Sequence, residues 1–351
     1  MYLKKIISIF FIFLFACSQI KFNDNAKYFF LTNTKQLTFN GDNGEAYFSN
    51  DDKKLIFQSK RDGNKCDKIY TMSIKGENIQ KIPFSNGAYT CSYYSINDEE
   101  IFFSSTMQDS AECPDVFKHP NPRKYIWPLR NYDIYSLKDN TNLNNLTNSF
   151  GYDAEATVHP IEEKIIFTSL RNGDIDLYEM DYNGKNLKRI TTQFGYDGGA
   201  FYSPNGRKIV WRAWYPESEA DRIKWKNNIN NNYIESVPLD IYVSDRDGQN
   251  KIRLTNNGAT NWSPSWHPSG EYIVFSSNMD DWLEEYQSFG PNFELYLIEI
   301  QTGLLQRLTF NKTFDSFPVF SKNGRQIVYS SNRNAENPRQ TNIFISDIIK
   351  K

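Results

Sequence analysis

Four carboxylates in this chain have a type and spacing suited to chemistry. Asp153, Asp197 and Asp315 each follow an aromatic residue, namely Tyr152, Tyr196 and Phe314, and Glu155 adds a fourth acid two positions after the first. Brought together they would accept a metal ion or a ligand. A position repeated in this way also serves to cap a repeated backbone turn. Trp127, Trp214, Trp225, Trp262 and Trp282 lie among acidic groups such as Asp221, Asp280, Asp281, Glu284 and Glu285. Rings beside acids suit stacking on a sugar or a peptide, and the competing use is to pack long loops. Cys66, Cys91 and Cys113 allow one disulfide in three pairings, or a metal site. His159 and His267 precede Pro160 and Pro268 in turns expected on the face opposite the long insertions, so they are poor candidates for a shared zinc site. The chain has no Gly-x-Ser-x-Gly elbow, no His-Glu-x-x-His and no Gly-Lys-Ser/Thr phosphate loop. No catalytic residue, metal or cofactor is therefore assigned, and binding is the first expectation.

The elements that must position these residues are strands. Of 351 residues 16% are aromatic and 39% hydrophobic, while 42 acidic side chains balance 40 basic ones. That composition favours a folded β protein and gives nothing to recruit nucleic acid. One unit recurs six times in the same order. Its apolar second strand reads Leu55-Ile56-Phe57-Gln58-Ser59, Ile101-Phe102-Phe103-Ser104-Ser105, Ile165-Ile166-Phe167-Thr168-Ser169, Ile209-Val210-Trp211, Ile273-Val274-Phe275-Ser276-Ser277 and Ile327-Val328-Tyr329-Ser330-Ser331. Its third strand reads Ile69-Tyr70, Asp133-Ile134-Tyr135, Asp176-Leu177-Tyr178, Asp240-Ile241-Tyr242, Glu294-Leu295-Tyr296 and Asn342-Ile343-Phe344. The junctions Leu37-Thr38, Ile82-Pro83, Leu146-Thr147, Ile190-Thr191, Leu254-Thr255 and Leu308-Thr309 are 45, 64, 44, 64 and 54 residues apart. A base period near 44 with four short strands is a propeller blade. The expected fold is all-β: a six-bladed β-propeller of four-stranded antiparallel blades. The last copy lacks a fourth strand, so Phe29 to Thr38 is expected to complete it and close the ring.

Antiparallel order puts the loops between strands two and three on the same face as the inter-blade loops. All three long insertions fall there, roughly Thr106 to Asn131, Ala213 to Pro238 and Met279 to Asn292, with a short helix expected within Glu217 to Ile229. They carry four of the five tryptophans, and Trp262 sits in an inter-blade loop of that face. Arg61, Arg171 and Arg333 after strand two, and Asp133, Asp176, Asp240 and Glu294 opening strand three, are expected to pair within blades.

The Leu-Thr junctions, the turn in Ser203-Pro204-Asn205-Gly206, the apolar strand ending in Ser and the Asp-Ile-Tyr strand together resemble the WD40-like (PD40) repeats of TolB-like six-bladed propellers. The stretches Tyr152-Asp153-Ala154-Glu155-Ala156 and Gly195-Tyr196-Asp197-Gly198-Gly199 resemble a stand-alone secreted form of that family. The separate α/β domain that precedes the propeller in TolB itself has no expected counterpart here, so the resemblance implies the fold without a Tol-Pal role.

Lys4, Lys5, the apolar run Ile6 to Ala16 and the sequence Leu14-Phe15-Ala16-Cys17 resemble a bacterial lipoprotein signal. This implies cleavage before Cys17 and its lipidation, with Ser18 favouring the outer membrane. The expected organisation is a signal peptide at 1–16, a linker at 17–28 and a propeller at 29–351. The expected role is a lipid-anchored, monomeric binding or scaffolding protein on the periplasmic side of the outer membrane, engaging an envelope protein, peptide or glycan. The alternative is a lyase or hydrolase acting on a polysaccharide or peptide at the same face.

Overall fold

The computed structural model describes residues 28–84, 86–117, 126–337 and 340–351. The expected signal segment, Cys17 and the linker through residue 27 lie outside them.

Six four-stranded antiparallel sheets follow one another around a ring. The innermost strands are Asp42–Phe48, Tyr89–Tyr94, Asp153–Val158, Tyr196–Tyr202, Asn261–Trp266 and Asp315–Phe320. In the first five blades the remaining strands follow in chain order outward. The sixth blade is finished by Phe29–Gln36, which pairs antiparallel with Asn342–Lys350. The expected fold and its closure are therefore observed. Apolar faces of neighbouring blades form the core: Phe48, Leu55 and Phe57 of blade one pack with Leu37, Val328, Ile343 and Ile345 of blade six.

The repeated residues have a structural reason. The Thr hydroxyl of the junction accepts the backbone N–H of the second residue of strand three. Five such contacts are present: Leu177 to Thr191 (2.9 Å), Ile241 to Thr255 (2.9 Å), Leu295 to Thr309 (2.9 Å), Ile134 to Thr147 (3.0 Å) and Ile343 to Thr38 (2.9 Å). Thr147 and Thr255 also donate to the opening acids Asp133 and Asp240, each at 2.8 Å. This satisfies groups at strand ends that would otherwise be buried without a partner. An arginine on strand four completes the latch, Arg189 to Asp176 at 2.6 Å and Arg307 to Glu294 at 3.1 Å, with Arg253 on Asp240.

The turns between strands one and two are tied to one another across blades. The Asp52 carboxylate accepts the N–H groups of Lys322 and Asn323 at 2.7 and 3.0 Å. Asp98 accepts those of Asn50 and Asp51 at 2.6 and 3.2 Å. His159 Nδ1 accepts from Ile161 and Glu162, which leaves Nε2 to donate to the Gly206 carbonyl at 3.2 Å. His267 packs on Phe320 and Phe29. Both histidines therefore serve this face of the ring.

Candidate binding face and channel

The opposite face carries the insertions, and two of them join. Ile126–Pro128 of blade two pairs with Tyr233–Glu235 of blade four, bridging over blade three. The helix Glu219–Asn230 is capped by Ser218, whose hydroxyl accepts the Asp221 N–H at 3.1 Å, and it buries Trp225 and Ile229. Trp225 Nε1 donates to Asp174 at 2.8 Å, and burial raises the pKa of that carboxyl. Trp214 lies 5.6 Å from Trp225, and Trp127 lies 5.3 Å from Trp262 and 6.0 Å from Tyr152. The structure thus brings Trp127, Trp214, Trp225 and Trp262 into one cluster under the bridge, with Trp225 2% exposed. Trp282 stands apart on the hairpin Trp282–Leu283/Ser288–Phe289 and is 51% exposed.

Phe39, Phe150 and Phe310 are 70, 91 and 74% exposed on the same face. The sequence reading passed over them, although each follows a Leu-Thr junction by one to three residues. Arg307 lies 4.8 Å from the Phe310 ring.

The channel is built by a bulge repeated in all six innermost strands. At each, one residue takes a left-handed conformation: Glu45, Cys91, Glu155, Gly199, Ser263 and Phe317, with φ of 51, 51, 61, 61, 49 and 56°. These six residues line a cavity of about 30 Å³. That volume holds a water or two and not a peptide. The Tyr47, Tyr93 and Phe201 rings meet along the axis, 5.2 to 6.2 Å apart. Arg212 enters the channel wall, pairs with Glu155 and stacks 3.8 Å from the Trp262 ring centre. Burial, and then the neighbouring Glu155 carboxylate, push Glu45 up to about 7. Burial and the same two acids push the Cys91 thiol well up, so it stays neutral.

Of the four candidate carboxylates, only Glu155 faces this channel. Asp153 is buried and bonded to Arg171 at 2.9 Å, while Asp315 is bonded to Arg333. Asp197 is fully buried and accepts from Trp211 Nε1 and the Tyr215 hydroxyl, both at 2.6 Å; burial raises it to about 6. All three are engaged within their own blades. Cys66 and Cys113 form a disulfide, and Cys91 is a buried free thiol. Among the described residues no group of three or more His, Cys, Asp or Glu is placed to hold a metal ion, and no helix is long and apolar enough to cross a membrane.

No protein-family model matches the chain. The Tol-Pal system protein TolB of Francisella tularensis subsp. holarctica is 34% identical over 115 residues, 32% of this chain and 23% of that protein. The match thus spans about a quarter of that relative's length. A crystal structure of TolB from Acinetobacter baumannii superposes with a TM-score of 0.54 at 16% identity, over 88% of this chain and 63% of that one. An oligogalacturonate lyase from Vibrio parahaemolyticus superposes with a TM-score of 0.52 at 13% identity, over 92% and 96%. Six closed blades and the repeated junction latch make this chain a six-bladed β-propeller, similar in fold to TolB and sharing with it one stretch of sequence.

Proposed function

We propose that the protein is a lipid-anchored periplasmic binding or scaffolding propeller that engages an envelope protein, peptide or glycan through the face bearing the insertions. The observation that carries this is the asymmetry between the two faces. One is closed by turns bonded to their neighbours. The other presents a bridged pair of insertions, a hairpin and the exposed rings of Phe39, Phe150, Phe310 and Trp282. Large apolar side chains held in solvent by a rigid scaffold are typical of recognition surfaces. The resemblance to TolB of the Tol-Pal system supports a partner in the envelope. The narrow channel supports docking on the face over threading through the ring.

The test is to crosslink cells, identify what is captured with the anchored protein, and measure its binding to Trp282→Ala and Phe310→Ala. Loss of an anchor ring should cost about 2 kcal/mol or more, roughly thirtyfold in affinity, at unchanged melting temperature. Undiminished binding by both variants would place recognition elsewhere. The lyase-like superposition supports the second reading, an enzyme acting on a polysaccharide at this face. Formation of unsaturated products from oligogalacturonates by the purified chain would favour it over binding alone.

A further inference from the structure

We propose that the protein stands on its membrane by the face of the short turns, with the insertions pointing away from the bilayer; this rests on the reading that Cys17 is the anchor. The strand Phe29–Gln36 is the outermost of blade six and runs toward the junction on the insertion face, so the chain arrives from the other side. Phe29 marks that side, since its ring lies 5.5 Å from His267 and 5.0 Å from Tyr272, at the two ends of the turn between strands one and two of blade five. From Cys17 to Tyr28 there are 28 − 17 = 11 steps along the chain. Fully extended they reach at most about 36–40 Å. The blades are about 20–24 Å deep, judged from innermost strands of six or seven residues. That upper bound exceeds the depth of a blade, so chain length alone does not select the face that meets the membrane, and the surface around Phe29 must fix the orientation.

That surface has the chemistry of a headgroup boundary. Tyr28, Phe30 and Ile349 are 43, 46 and 43% exposed, and Phe30 and Ile349 are cross-strand partners. Lys350 and Lys351 flank them, with the Lys351 ammonium 5.6 Å from the Phe30 ring. Apolar side chains entering the acyl boundary while lysines meet lipid phosphates is the arrangement of a shallow membrane contact.

The experiment holds the mature chain, with a histidine tag in place of Cys17, on vesicles of phosphatidylethanolamine and phosphatidylglycerol. The vesicles also contain nickel-chelating lipid and lipid carrying a nitroxide headgroup. Because Cys66 and Cys113 are bonded and Cys91 is buried, a fluorophore can be placed selectively at Arg207→Cys on the turn face or Glu285→Cys on the insertion face. The nitroxide should quench the Arg207→Cys label at least threefold more than the Glu285→Cys label. Phe30→Ser with Ile349→Ser should narrow that difference. Equal quenching, or deeper quenching at Glu285→Cys, overturns the orientation, and a double variant that keeps the full difference overturns the lipid contact. Anchorage itself is read separately, from the mass and membrane fractionation of the natural chain and its Cys17→Ser variant in cells.

Discussion

Gly199 decides what occupies the channel. At its φ of 61° any side chain is strained, and a Cβ there would meet the Arg212 guanidinium at 1.7 Å. Gly199→Ala should therefore displace Arg212 from Glu155 and lower stability by about 3 kcal/mol, measured by urea unfolding. Glu45 gives a pH signature. Its native value near 7 lies above the ordinary 4.5, so between those limits the folded state holds a proton that the unfolded state has lost. Its contribution is thus present in full below pH 4.5 and falls as pH rises toward 7. Glu45→Gln should flatten the stability profile across that window and stabilise the protein at pH 8 by about 1–3 kcal/mol. Thr255→Val keeps the shape of the latch, leaves the Ile241 N–H without its acceptor and removes one donor from Asp240, which keeps Arg253. A loss of about 1–3 kcal/mol is expected in thermal unfolding. These junction threonines are plain in the sequence as a motif. Their role is not, because the partners are 13 to 15 residues away on another strand, and for Thr38 the partner is 305 residues away.

Among elements, the bridge between the insertions was the least legible. The helix is announced by its N-cap Ser218 and lies at Glu219–Asn230, within a residue or two of expectation. The strand Ile126–Pro128 is three residues with no alternation, and its partner Tyr233–Glu235 lies about a hundred positions away, so no local pattern marks it. Trp225 is the keystone of this layer, buried to 2% and bonded to Asp174. Trp225→Ala should cost about 3–5 kcal/mol locally. Because the insertions lie outside the blades, limited proteolysis should then cut them while the ring still unfolds cooperatively. Intact insertions in that variant would show that the bridge holds without its tryptophan.

At the scale of the whole molecule, two connections join distant parts of the chain. Deleting 29–36 strips blade six of its outer strand and should broaden the unfolding transition and promote aggregation through the freed edge, read by calorimetry and light scattering. The Cys66–Cys113 disulfide spans 47 positions and ties blade one to the insertion of blade two. In the chain-entropy account reduction removes up to about 4 kcal/mol, seen as a lower melting temperature in reductant, with Cys91 unreactive until the ring opens. The sequence by itself determined the blade count, the strand order, the closure by Phe29–Gln36 and the face of the insertions. Each of these follows from a period or from chain direction, which are one-dimensional properties. Only the tertiary structure decided that Asp153, Asp197 and Asp315 are spent inside their blades, that four tryptophans share one core, and that Cys66 pairs with Cys113. It alone brought Glu45, Cys91, Glu155 and Arg212 to one axis. Those outcomes depend on the angle at which each blade meets the ring, which sets who stands beside whom across blades and leaves no trace in spacing along the chain.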